Sequence, residues 1–167
     1  GLGRLARETL TTDGGNAECV AWSPNGAVIA YGQDDGTVVV WNMKSARPVL
    51  RKNLHHAHII SIDWSSDGTK VASLASQDRY VRVWEPMSGK ELQKFELPGE
   101  HDWSGAVGFN FDDSLLAADS RDQVVVWDLA SGKELHSFGL TQIAQVAWSP
   151  VDNRIAASSK HRRITIW

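Results

Sequence analysis

Four times along the chain an aromatic residue opens a turn-forming cluster, and a tryptophan closes a β-branched run some twenty residues later. The pairs are Trp22 and Trp41, Trp64 and Trp84, Phe109 and Trp127, Trp148 and Trp167. The closing tryptophans lie 43, 43 and 40 residues apart. A unit of that length cannot bury its own apolar face, so copies must pack on one another, and this period belongs to the blades of a β-propeller. Four units occupy almost all of the 167 residues and leave no separate catalytic domain among them.

Each unit reads as four short strands, here A to D. Strand A alternates apolar residues, as in Ile60, Ile62 and Trp64, and runs into turn chemistry: Ser23 to Gly26, Ser65 to Gly68, Asp112 to Ser114 and Ser149 to Asn153. Strand B follows, then a tight polar turn and a β-branched strand C ending at the closing tryptophan. Strand D is more polar, as an outer edge requires. The repeats span residues 13–54, 55–97, 98–140 and 141–167, the last without a strand D, and residues 1–12 form a closing strand D.

Trp127 followed by Asp128, the near variants Trp41 with Asn42 and Trp84 with Glu85, and the Ser-Pro-Asn-Gly and Ser-Ser-Asp-Gly turns together resemble the WD-repeat β-propellers. That resemblance covers about 95% of the chain. It implies an all-β propeller of four blades, each of four antiparallel strands, with the N-terminal strand completing the last blade or pairing with a neighbouring unit. It also implies a buried hydrogen-bonded set in a blade: a histidine before strand A, a hydroxyl in strand B, an aspartate before strand C and the strand C tryptophan. The second repeat looks similar with His56 or neighbouring His55, Ser76, Asp78 and Trp84, the third with His101, Ser120, Asp122 and Trp127.

A serine, histidine and aspartate together also suggest a hydrolase. Here they recur in successive repeats, with no nucleophile elbow and no oxyanion-hole segment, so no catalytic residues are assigned. His55, His56 and His58 carry metal-ligand chemistry, but no spacing supplies the remaining ligands, so no metal and no cofactor are expected. A net charge of −3 with interspersed signs argues against nucleic acid as a partner. The lone Cys19 reads as a small buried hydrophobe. No run of eighteen apolar residues and no charged-then-apolar leader occurs, so the expectation is an intracellular protein, cytoplasmic or nuclear, with no membrane partner.

Binding is the function such a fold implies: a non-catalytic scaffold or sensor for a protein or peptide. An enzyme with its site in the central channel and a nucleic-acid-associated propeller are the alternatives. In the resemblance, contacts gather where strand A begins and where the turn between strands B and C lies. Those positions are Asn16, Glu18 and Asp34, then His58, Ile60 and Gln77, then Trp103 and Arg121, and finally Gln142 and Lys160. Trp103 is the only tryptophan outside the two repeating positions and suits an interface anchor. Residues 3–10 resemble the strand D segments 89–97 and 132–140, whereas the chain stops at a strand C. Three arrangements satisfy both ends: part of a larger propeller, two chains forming eight blades, or a closed ring of four.

Overall fold

The computed structural model describes residues 9–12, 14–98, 105–120, 122–140, 142–160 and 162–167. These form fifteen strands and no helix. The strands are β1 (Ala17–Trp22), β2 (Val28–Gln33), β3 (Thr37–Asn42), β4 (Arg47–Asn53), β5 (Ile59–Trp64), β6 (Val71–Ala75), β7 (Tyr80–Trp84) and β8 (Glu91–Glu96). They continue as β9 (Val107–Phe109), β10 (Leu115–Ser120), β11 (Gln123–Asp128), β12 (Glu134–Gly139), β13 (Ile143–Trp148), β14 (Ile155–Ser159) and β15 (Arg163–Ile166). Each repeat is an antiparallel meander in chain order, giving sheets β1–β4, β5–β8, β9–β12 and β13–β15. The first strands of consecutive sheets lie beside one another, so β1, β5, β9 and β13 line the inner wall and the polar fourth strands lie outside.

Sheet faces alternate strictly, because successive side chains on a strand point opposite ways. Val71 and Ala75 pack towards the first sheet, while Ala72 and Leu74 pack towards the third. With both faces covered, central strands read as nearly continuous apolar runs such as Val124, Val125 and Val126. Three cores result, one between each neighbouring pair of sheets. Val28, Ala30, Val38 and Val40 meet Ile59, Trp64 and Trp84. Val81, Val83, Phe95 and Leu97 meet Phe109, Leu116, Val125 and Trp127. Val124 and Val126 meet Ile143 and Ile155.

Four sheets with three interfaces make an open arc, a partial propeller. The closed ring of four is therefore a correction: the outward faces of the terminal sheets pack on no other sheet among the described residues and are partly bare, with Trp22 59% exposed and Ile164 74% exposed, although Ile29, Tyr31 and Val39 of the first sheet are covered. The proposed closing segment lies mostly outside the described residues. Its described part, residues 9–12, forms no strand, and the β13–β15 sheet has three strands among the described residues.

Neighbouring sheets are also tied by a repeated polar contact. Trp64 Nε1 donates to the Ala21 carbonyl at 3.2 Å, and Trp148 Nε1 donates to the Gly108 carbonyl at 3.0 Å. The third repeat has Phe109 at this position and no N–H to give. Its contact is reversed: the Asp63 carboxylate accepts the Phe109 amide at 2.9 Å, and the Ser61 hydroxyl accepts the Val107 amide at 3.1 Å. Asp113 adds a second tie. It stands where the first two turns have Gly26 and Gly68, adopts the same left-handed backbone at φ 58°, and reaches the Ser66 and Asp67 amides and the Ser66 hydroxyl. Aspartate tolerates that conformation better than most residues, and the bonds offset its strain.

Candidate functional site: the rim of the arc

The rim is built by two recurring local features. In three sheets strand A carries a β-bulge, between Ala17 and Cys19, Ile59 and Ser61, and Ile143 and Gln145. The extra residue in each bulge has no partner across the ladder and is re-aimed at the sheet end. Two of the three are expected contact residues, Glu18 and Ile60. The second feature is a backbone bond lacing each turn between strands B and C to the approach of strand A. Asp34 donates to the Asn16 carbonyl at 3.1 Å, Ser76 to His58 at 2.8 Å and Lys160 to Gln142 at 3.1 Å.

This lacing brings the expected positions together within each sheet. Asn16 also gives its side-chain amide to Asp34 Oδ2 at 2.9 Å, and both are tied at the surface of the first sheet. Glu18, Gln77, Gln142 and Lys160 are exposed, and Gln77 and Gln142 adopt positive φ of 58° and 54°. His58 is half-buried and partnered. Ile60 is less free than expected, because its side chain packs against the core between the second and third sheets. Trp103 and Arg121 lie outside the described residues. Charge is distributed unevenly: Glu18 and Asp34 lie on the first sheet, and Lys160, Arg162 and Arg163 on the fourth.

The buried polar set in the second sheet differs from the sequence reading in two members. His55, wholly buried, takes the place offered first to His56, which is exposed. Its Nδ1 donates to Asp78 Oδ2 at 2.7 Å, and its Nε2 faces the Ser73 hydroxyl at 2.7 Å. Trp84 Nε1 donates to that same hydroxyl at 3.1 Å. Ser76 is not a member, and its buried Oγ has no hydrogen-bond partner. The reason is register: Ser73 pairs with Arg82, two residues before Trp84, whereas Ser76 falls beyond the end of β6.

The same register puts Ala118 opposite Val125 in the third sheet, so no hydroxyl stands under Trp127. Ser120 is buried at the far end of β10, and Asp122 is exposed, with its Oδ1 3.5 Å from the Gln142 amide. His101 lies outside the described residues. In the first sheet Tyr31 holds the equivalent position, and the Trp41 indole N–H has no partner. The spacing from the closing tryptophan back to the strand B hydroxyl was the signal that could have found Ser73.

Burial holds the His55 pKa below its ordinary value against the pull of Asp78. The neutral ring then donates at Nδ1 and accepts at Nε2, as the three bonds require. Burial also works against ionisation of Asp78, but its bond to His55 and the charge of Arg82, 3.6 Å away, hold it below the usual carboxylate range. Ser73 and His55 are buried among core side chains with no route for a substrate, so this set serves the blade. Burial raises the Cys19 thiol to about 11, and its Sγ donates to the Ile59 carbonyl at 3.3 Å. That is an inert thiol. Among the described residues no three histidine, cysteine or acidic side chains converge as a metal site would need.

Sheets stacked around an axis, each repeat opening on an aromatic residue and closing on a tryptophan, define the class of WD-repeat β-propellers. Residues 6–110 match the family described as nucleolar protein 10-like, N-terminal domain, a β-propeller family, and the chain belongs to it. It is similar to the SIR4-interacting protein SIF2 of Saccharomyces cerevisiae, 35% identical over 47% of this chain and 14% of that protein. It is also similar to THO complex subunit 3 of Arabidopsis thaliana, 34% identical over 61% of this chain and 36% of that one. Among solved structures, U3-55K superposes with a TM-score of 0.79 at 18% identity, covering 95% of this chain and 53% of that one. The WD40 repeats of RRP9 give 0.77 at 19% identity over 95% and 52%. The chain thus spans about half of the structures it matches and a smaller share of the curated relatives. WD-repeat relatives of this kind are in general parts of protein complexes.

Proposed function

We propose that this chain is a non-catalytic scaffold or sensor module that binds a protein or peptide on the rim. The observation that carries this reading is the lacing, which holds polar side chains of successive sheets at one edge and leaves acid at one end and base at the other. A bipolar partner crossing the rim would be steered by that field and would associate more slowly as salt rises. Trp103 and Arg121 are proposed as the central contacts, with Asn16, Glu18, Asp34, His58, Ile60, Gln77, Gln142 and Lys160 around them. The four repeats act as one unit whose bare terminal faces pack against further blades or a second copy. The nucleolar description of the family and the names of the relatives support the nuclear side of the intracellular expectation.

The test is affinity capture with the wild-type chain, Trp103→Ala, and Glu18→Lys. The expected result is loss of the same captured proteins with both variants at unchanged melting temperature. Retention of every captured protein by both variants overturns the rim as the binding surface.

A further inference from the structure

At the opposite end of the sheets, where the inner strands finish in aromatic residues, three consecutive repeats enclose a cleft of about 240 Å³. Asp63 and Asp113 are among its lining residues. Its walls are Phe109 and Phe111 of the third repeat and Trp148 and Pro150 of the fourth. Fixed structure surrounds it. The Trp148 indole is pinned by its bond to Gly108, Asp63 by the Phe109 amide, and Asp113 by the amides of the neighbouring turn. Phe111 stands 43% exposed at the mouth, although it follows a strand whose other apolar residues are covered.

The electrostatics of the cleft are incomplete. Two carboxylates line it, and no basic side chain is among its described lining residues. Burial pushes the Asp63 carboxyl up, hydrogen bonds from the Phe109 and Trp64 amides pull it back in part, and the charge of Asp113 raises it further, with no cation opposing either upward effect. A half-buried carboxylate among aromatic rings is costly when it has no counter-charge. The hollow is smaller than the roughly 300–1,000 Å³ of a small-molecule pocket, a size that suits one long side chain. It also continues along β9 and β13 into a second hollow of about 260 Å³ that shares Asp63, Phe109 and Trp148, a path for an extended backbone.

We infer that this cleft takes an arginine side chain from an extended segment of a partner protein. Guanidinium is the cation that fits both halves of the site: it is weakly hydrated, stacks on aromatic faces and meets a carboxylate with two parallel N–H bonds. The inference concerns the face opposite the rim and does not depend on what the rim binds.

The test titrates the ¹⁵N-labelled 167-residue chain with the tripeptide acetyl-Gly-Arg-Gly-amide and with its citrulline counterpart, which keeps the shape and lacks the charge. The Trp148 indole N–H, assigned by its loss in Trp148→Phe, is the reporter. A saturable shift is expected with arginine and none with citrulline. Binding should weaken by about tenfold or more in Asp63→Asn, which still accepts the Phe109 amide, and in Asp113→Asn, which tolerates the left-handed backbone. Glu134→Gln, an exposed control on β12 away from both the cleft and the rim, should bind as wild type does. Both aspartate variants are checked for a native-like spectrum, and Phe111→Ser, on the exposed mouth, provides an independent variant expected to weaken binding. Absence of a saturable shift, an equal response to citrulline, or undiminished binding by folded Asp63→Asn overturns the proposal.

Discussion

At the scale of single residues, the Ser73 hydroxyl joins His55 to Trp84 in the buried set of the second sheet. Ser73→Ala would leave the His55 Nε2 and the Trp84 N–H without partners in a dry core, at a cost of about 1–3 kcal/mol. Ser76→Ala removes a hydroxyl that bonds to nothing, so its unfolding free energy from urea denaturation should stay within about 0.5 kcal/mol of wild type. Equal losses in the two variants would reject the assignment. Acid acts on the same set: the unfolded imidazole titrates near 6.5, and burial puts folded His55 lower. The unfolded chain therefore takes up the proton first, and stability falls as pH drops below about 6.5.

Asp119 has the opposite sign. Burial raises it to about 6, against hydrogen bonds from the Ala106 amide, at 2.7 Å, and from its own amide. The folded state holds this proton more tightly than the unfolded chain does. Its contribution is therefore fully present below about pH 4 and is lost as pH rises through about 6. Asp119→Asn keeps the acceptor and removes the charge. It should stabilise the fold at pH 7.5 by at most about 3 kcal/mol, seen as a raised Tm, and leave Tm unchanged at pH 4. Identical gains at both pH values would show that the effect is not linkage.

At the scale of elements, the sheets are joined by apolar cores and a few directed bonds. Trp64→Phe and Trp148→Phe each delete an N–H that reaches the neighbouring inner strand and should cost about 1–2 kcal/mol. Trp22 occupies the same position in the first repeat, but its side chain lies on a bare face, so Trp22→Phe should change the denaturation midpoint little. Three equal midpoints would mean that packing, not the indole bond, dominates these junctions. The reversed junction at Phe109 shows that the arrangement tolerates substitution when a neighbour supplies a carboxylate.

At the scale of the whole molecule, the arc ends in two apolar faces that are two halves of one kind of interface. The first sheet offers Val20 and Trp22, and the fourth offers Ile164 and Ile166. Contiguous apolar surface of this kind drives association. Sedimentation of the 167-residue chain should show mass rising with concentration, and Trp22→Ser with Ile164→Thr should reduce that rise. A chain that stays monomeric at all concentrations, with or without the substitutions, would mean that these faces are not adhesive.

Period, turn chemistry and the β-branched runs before each tryptophan determined the strands and their meander, because these are local properties of pleated chain and tight turns. The family resemblance was legible for the same reason. Membership of the buried set was not: His55 against His56 and Ser73 against Ser76 depend on strand register, which adjacent residues of similar chemistry leave open and only pairing across the sheet decides. The tie through Asp113 and the cleft at Asp63 were equally invisible, since each joins residues of repeats 46 or more positions apart. Whether the ring closes also lay beyond the repeat pattern. The pattern states how one blade packs on the next, and the tertiary structure decides how many such faces are left bare.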